Sequence, residues 1–118
     1  MSDASWPLEI RLKKDRRTLV VAFDDGTVHD LPAEMLRVLS PSAEVQGHSA
    51  EQRVTVGGKR DVAIVGVDPV GNYAVKLTFD DGHNTGLFSW GYLRKMGDDR
   101  EALWAAYERE LAAKGMAR

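Results

Sequence analysis

The residues of this chain best suited to chemistry are its imidazoles, of which there are three: His29, His48 and His83. A divalent transition metal takes imidazole nitrogen and completes its shell with carboxylate oxygen. His83 follows Asp80-Asp81-Gly82 and so begins beside two carboxylates, while His48 stands near Glu44. A site for iron or another divalent ion can therefore be written from His83, His48, Glu44 and the Asp80-Asp81 pair. The plainer alternative carries more weight, because no recognised ligand spacing links these residues. In it His83 hydrogen-bonds near a turn and His48 is solvated.

Nucleophilic chemistry has less to work with. Ser40, Ser42, Ser49 and Ser89 are present, but none lies in Gly-x-Ser-x-Gly or Ser-x-x-Lys. There is no His-x-Asp pair, so the facial triad of non-haem iron oxygenases cannot be assembled. There are no cysteines, which excludes disulfides, thiolate metal sites and thiol nucleophiles. Gly57-Gly58-Lys59 lacks the spacing of a phosphate loop and reads as a polar turn. These absences lead to the expectation that the chain is not an enzyme.

Binding surfaces come next. Arg11, Lys13, Lys14, Arg16 and Arg17 form a small basic group without interleaved aromatics for base stacking. It reads as a strand edge guarded by charge, and no nucleic acid is expected as a partner. Trp90, Tyr92, Trp104 and Tyr107 are expected mostly in the core, and any left exposed would mark a protein contact.

The whole chain bounds these options. Its 118 residues fit one domain, with 43% hydrophobic and 29% charged residues, the balance of a globular protein. A formal charge of −2 gives no global attraction to nucleic acid or anionic membrane. No segment approaches the ~20 apolar residues that span a bilayer. The start is polar and acidic rather than signal-like, so a cytoplasmic location is expected.

The elements that must position these residues follow from periodicity and turn chemistry. Residues 1–5 are expected to be disordered. Leu8, Ile10 and Leu12 alternate with charge as a half-buried strand. Thr18 to Phe23 is a second strand, Asp24-Asp25-Gly26 a hairpin turn and Thr27 to Leu31 the return. Pro32 then opens a short helix through Met35, Leu36 and Leu39. Residues 40–60 read as a long loop with a short strand near Val54 and Val56. Asp61 to Val67 is a strand, Asp68 to Asn72 a turn, and Tyr73 to Phe79 a strand with one face buried. Asp80-Asp81-Gly82 turns again and His83 to Phe88 returns. Ser89 caps a helix that Gly97 ends, and Asp98 with Glu101 resembles a capping box. Leu103, Trp104, Tyr107 and Leu111 form the stripe of a last helix.

Phe23-Asp24-Asp25-Gly26, Leu31 and Leu36-Arg37 are echoed by Phe79-Asp80-Asp81-Gly82, Leu87 and Leu93-Arg94, at an offset of 56 residues that becomes 57 at the helix. An internal repeat and simple convergence both account for this, and the frequency of Asp-Gly turns tips the balance to convergence.

The run Leu36 to His48, the stretch Pro69 to Val75, Phe79-Asp80-Asp81-Gly82-His83-Asn84-Thr85-Gly86 and Ser89-Trp90-x-Tyr92-Leu93 together resemble the γ-butyrobetaine hydroxylase-like N-terminal domain family, long catalogued as a domain of unknown function. The resemblance covers roughly Trp6 to Gly97, leaving 98–118 as an additional C-terminal helix. It implies a domain that stands alone in bacteria, or is fused to γ-butyrobetaine and trimethyllysine dioxygenases or to P-loop ATPases carrying iron–sulfur clusters. In the dioxygenases the resemblance implies a non-catalytic domain with a structural zinc held by three cysteines and a histidine. Those cysteine positions fall on Ser40, Ser42 and Val45, and the histidine on His83. Three thiolates are thus replaced, and the family-type zinc site is expected to be absent.

The expected fold is α+β: about six strands in small antiparallel hairpins, two short helices and a C-terminal helix. The expected function is a non-catalytic accessory or interaction domain, an adaptor linked to iron–sulfur cluster assembly or delivery. Its expected partner is a protein, an iron–sulfur carrier ATPase, and neither nucleic acid nor membrane. No cofactor is expected. The competing expectation is a metal-binding protein using His83, His48 and Glu44. The candidate interaction surface is Arg37, Glu44, His48, His83 and Trp90, where the Ser40–His48 loop meets Gly82–Tyr92. The alternative for these residues is that they lock the loop to the sheet.

Overall fold

The computed structural model describes residues 6–46 and 54–118, with backbone alone for Ala43 and Glu44. The order of elements is β1 (Pro7–Leu12), β2 (Thr18–Phe23), β3 (Val28–Pro32), α1 (Ala33–Val38), α2 (Ala43–Gln46), β4 (Ile64–Val70), β5 (Ala74–Phe79), β6 (Leu87–Ser89), α3 (Trp90–Asp98) and α4 (Arg100–Ala113). The strands form two antiparallel sheets, ordered β1-β2-β3 and β4-β5-β6. This is an α+β fold. Leu19, Val21 and Phe23 on β2 point into one core, as do Val75, Leu77 and Phe79 on β5. Strand alternation puts every second side chain on one face, so each central strand supplies a complete apolar row. Met35 and Leu36 of α1, Leu93 and Met96 of α3, and Tyr107 and Leu111 of α4 fill the same core.

The two halves repeat one another pair by pair. Pro7, Glu9 and Ile10 face Phe23, Ala22 and Val21, while Ile64, Gly66 and Val67 face Phe79, Thr78 and Leu77. Each first strand bulges by one residue at the same place, and the bulged residues Leu8 and Val65 are 74% and 47% exposed. A bulge shifts the alternation locally, which is why Leu8 does not share the inward face expected for it. The two Asp-Asp-Gly turns, β2 to β3 and β5 to β6, have the same bonds. The Phe23 and Gly26 amides donate to Thr27 and Phe23 carbonyls, and the Phe79 and Gly82 amides donate to His83 and Phe79 carbonyls. Gly26 and Gly82 both sit at φ 91°, a conformation glycine adopts without strain. Leu19 faces Leu31, and Val75 faces Phe88. The structural counterpart of Leu31 is therefore Phe88, not Leu87, because the one-residue slip falls in the connection after Gly82. Leu87 is turned outward and 44% exposed.

Several elements depart from their expected bounds. The chain around Ser42 forms the single turn α2 rather than continuous loop, with the Val45 and Gln46 amides on the Ser42 carbonyl. Residues 54–63 form no strand; Val54 instead donates to the Val45 carbonyl. β4 begins later than expected and runs through Pro69, which an edge strand tolerates because one row of its backbone groups needs no partner. β6 is only the last part of the expected return. α3 continues through Gly97 to Asp98, and Asp98 pairs with His29 and Arg94 instead of capping α4, whose first turn follows Asp99. Among the described residues no helix is long and apolar enough to cross a membrane.

Candidate functional site

The second hairpin turn carries the most heavily engaged carboxylate of the described residues. Asp81 Oδ1 accepts from the His83 amide at 3.0 Å, an Asx turn that residues of this type favour. Its Oδ2 accepts from Arg37 Nε on α1 at 2.7 Å and lies 2.6 Å from Lys59 Nζ. All three side chains are largely withdrawn from water, at 19% exposure for Asp81, 13% for Arg37 and 26% for Lys59. Burial alone would raise the Asp81 pKa. Lys59, the His83 amide and Arg37 outweigh it and hold the carboxyl well below the usual carboxylate range.

Beside this hub, His83 Nε2 lies 3.0 Å from Ser40 Oγ and 3.4 Å from Ser42 Oγ. Ser40, Ser42 and His83 are 0%, 5% and 7% exposed. The Ser42 amide in turn donates to Ser40 Oγ, and Gln46 Nε2 donates to the Ser40 carbonyl at 3.0 Å. Gly86 leaves room for the hydroxyl, since a Cβ there would collide with Ser40 Oγ. Tyr92 donates its hydroxyl to the Leu39 carbonyl and fixes the end of α1. The positions that the dioxygenase pattern assigns to cysteine and histidine thus do meet, at Ser40, Ser42 and His83. They do not fit a structural zinc. Serine keeps its proton at neutral pH, both hydroxyls are bonded to the imidazole, and Val45 offers no donor atom. Hydrogen bonds close the loop there.

The first half contains the mirrored arrangement. Asp25 Oδ1 accepts from the Thr27 amide, and Asp25 Oδ2 lies 2.9 Å from Arg94 Nη1 on α3. Arg37 reaches the turn of the second half, and Arg94 reaches the turn of the first. The Thr27 amide and Arg94 pull the Asp25 pKa down to about 2. Where Gly86 yields to Ser40, here Gly97 yields to His29, whose ring occupies the place of a Cβ. His29 Nε2 is 2.8 Å from Asp98 Oδ1, and with Arg94 it holds the Asp98 carboxyl below its ordinary range. An open cleft adjoins this pair, bordered by Asp30, Asp99, Arg100 and Glu101.

Of the expected site residues, the structure brings Arg37 and His83 together around Asp81. Trp90 stands apart, half-buried at the start of α3, with Nε1 donating to the Asn72 carbonyl at 2.8 Å. His48 and the Glu44 side chain lie outside the described residues. Among the described residues no group of three metal-ligating side chains could hold an ion. The basic group is dispersed: Lys13 pairs with Asp30 at 3.3 Å and Arg17 with Asp61 at 3.6 Å. Sequence reasoning missed Lys59, because a lysine after two glycines carries no signal of a carboxylate waiting on another hairpin.

Comparison with solved structures agrees with this architecture. Two proteins determined by solution NMR share 49% and 45% identity with the chain. They cover 97% and 100% of it and 90% and 88% of their own lengths, at TM-scores of 0.83 and 0.84. A crystal structure of a protein of unknown function of the DUF971 family, from Acidithiobacillus ferrooxidans ATCC 23270, shares 44% identity. It covers 77% of this chain and 91% of its own, at a TM-score of 0.64. No curated protein matches. Residues 10–94 match the family described as gamma-butyrobetaine hydroxylase-like, N-terminal, and the chain belongs to that family.

Proposed function

We propose that this chain is a non-catalytic interaction domain, an adaptor for a protein partner, and that the partner is an iron–sulfur carrier ATPase. The observation that carries the reading is the division of its residues. Ser40, Ser42 and His83, the described polar residues at the family's ligand positions, are buried against one another. Large apolar groups remain outside: Tyr73 is 53% exposed and Leu87 44%. Tyr73 adjoins Trp90, whose amide donates to the Tyr73 carbonyl at 3.2 Å, and Leu87 lies on β6, which leads directly into Trp90. Aromatic and aliphatic anchors of this kind supply most of the energy of a protein contact. Arg37 and His83 then serve to lock the 39–46 segment to the Asp80-Asp81-Gly82 hairpin, and among the described members of the expected surface the half-buried Trp90 is the one that presents itself to a partner. The carrier ATPase is the partner class to which the family resemblance leads.

Calorimetric titration of the tag-free chain with the purified carrier ATPase of its own organism tests this. Binding is expected, with Leu87→Ser and Trp90→Ala each weakening it by tenfold or more. Wild-type chain that fails to bind would sink the partner assignment. Elemental analysis of the same protein after incubation with iron or zinc tests the competing metal reading. Near-stoichiometric metal that disappears in His83→Ala would replace the adaptor reading with a metal-binding one.

A further inference from the structure

A groove of about 350 Å³ runs between α1 and α4, and it shares Arg100 and Glu101 with the cleft beside His29 and Asp98. Its floor carries Glu34, only 7% exposed, and its wall carries the Trp104 ring. Arg118, which follows α4, already shows what chemistry fits there. Its Nε and Nη2 donate to the two oxygens of Glu34 at 3.0 and 2.8 Å. Its guanidinium carbon lies 5.3 Å from the centre of the Trp104 ring. A carboxylate fork on one side and an indole face on the other make a seat matched to a planar guanidinium and poorly matched to a compact ammonium. Glu101, Glu108 and Arg100 border the same groove, so two further carboxylates stand against one guanidinium there.

The occupant is exchangeable by its own geometry. The Arg118 side chain remains 34% exposed. The backbone before it is fixed independently, by the Met116 amide on Leu111 and the Gly58 amide on the Ala117 carbonyl. The guanidinium can therefore leave Glu34 without unravelling the segment that carries it. We propose that this groove is a docking site for an arginine side chain of a partner protein, held closed in this chain by Arg118 as an intramolecular competitor. An intramolecular group wins by effective concentration, so a partner must present its arginine within a larger contact to displace it. None of the groove residues belongs to the Trp90 surface, so the proposal stands or falls separately from the carrier ATPase assignment.

The test uses the full chain and the tripeptide acetyl-Gly-Arg-Gly-amide, read through the Trp104 indole N–H resonance. Arg118→Ala is expected to bind the tripeptide at least tenfold more tightly than wild type. Glu34→Gln in that background should abolish the gain, and the lysine tripeptide should bind more weakly than the arginine one. A folded Arg118→Ala protein that binds no better than wild type would overturn the proposal and leave the contact a purely structural ion pair. Should Arg118→Ala fail to fold, Arg118→Lys keeps a cation on Glu34 but loses the fork, and it should still bind the arginine tripeptide more tightly than wild type. Equal affinity in a folded Arg118→Lys protein would overturn the proposal equally.

Discussion

Asp25 and Asp81 are the same residue in two environments. Each accepts from the amide two positions on, and each meets an arginine from the helix of the other half. They differ in exposure: the Asp81 side chain is 19% exposed and that of Asp25 47%. Removing one member of a buried ion pair strands the other without water, whereas an exposed partner is simply rehydrated. Asp81→Ala leaves both Arg37 and Lys59 without their carboxylate in a partly enclosed site, and is expected to cost more than the ~1 kcal/mol of a surface pair and less than the ~3–5 kcal/mol of a fully buried one in urea unfolding. Asp25→Ala should cost a small fraction of that. Both variants lose the same turn bond, so the difference between them reports the more enclosed pair, and equal losses would show that its partial burial does not matter. The pH dependence has a definite sign. Both folded-state pKa values lie below the unfolded one, so the stabilisation is complete above the ordinary aspartate value of about 3.9 and is lost as pH falls below it. For Asp25 the loss continues down to about 2. Asp81→Asn should therefore flatten the acid limb of the stability curve while lowering its plateau.

Helix α3 shows how one element is shaped by its counterpart half. Gly97 lies within the helix, although glycine there reads as a stop signal. The helix continues because the His29 ring of β3 fills the place of a side chain and ties to Asp98 one residue on. Gly97→Ala forces the ring or the helix to move. Overpacking of about 1–3 kcal/mol should outweigh the helix-propensity gain of about 1 kcal/mol. Gly91 is the control on the same helix, with open space around it. Gly91→Ala should stabilise, by up to about 1 kcal/mol. A Gly97→Ala protein with a raised urea midpoint would mean that the ring has room to yield. The capping-box reading of Asp98 and Glu101 failed for the same reason, since Asp98 was already engaged across the sheet.

At the scale of the whole molecule, α4 lies beyond the 10–94 family match yet shares the common core. Tyr107 and Leu111 are 2% and 4% exposed, and the Tyr107 hydroxyl donates to the Val56 carbonyl. Burying a large apolar side chain is worth about 2–5 kcal/mol by truncation, against a total of about 5–15 kcal/mol for a domain. A chain ending at residue 98 is therefore expected to lose its cooperative thermal transition and to bind a hydrophobic dye. An unchanged transition would make α4 an appendage.

Much of the architecture was readable from local chemistry. The Asp-Gly turns, the alternation along β2 and β5 and the stripe on α4 each depend on residues near one another in the chain, where backbone preference and side-chain period decide. The meeting of Ser40 and Ser42 with His83 was open to the sequence only through family likeness. What tertiary structure alone decided were the contacts between distant segments. Arg37 finding Asp81, Arg94 finding Asp25, Lys59 joining the first pair and Arg118 closing on Glu34 leave no periodic trace, because an ion pair requires only that two side chains end close together. The repeat itself falls between these cases. Its turns were visible, and the frequency of Asp-Gly turns favoured convergence; the matching bulges, registers and crossed arginines that make the two halves alike and pack them reciprocally into one core are tertiary features that no local pattern announces.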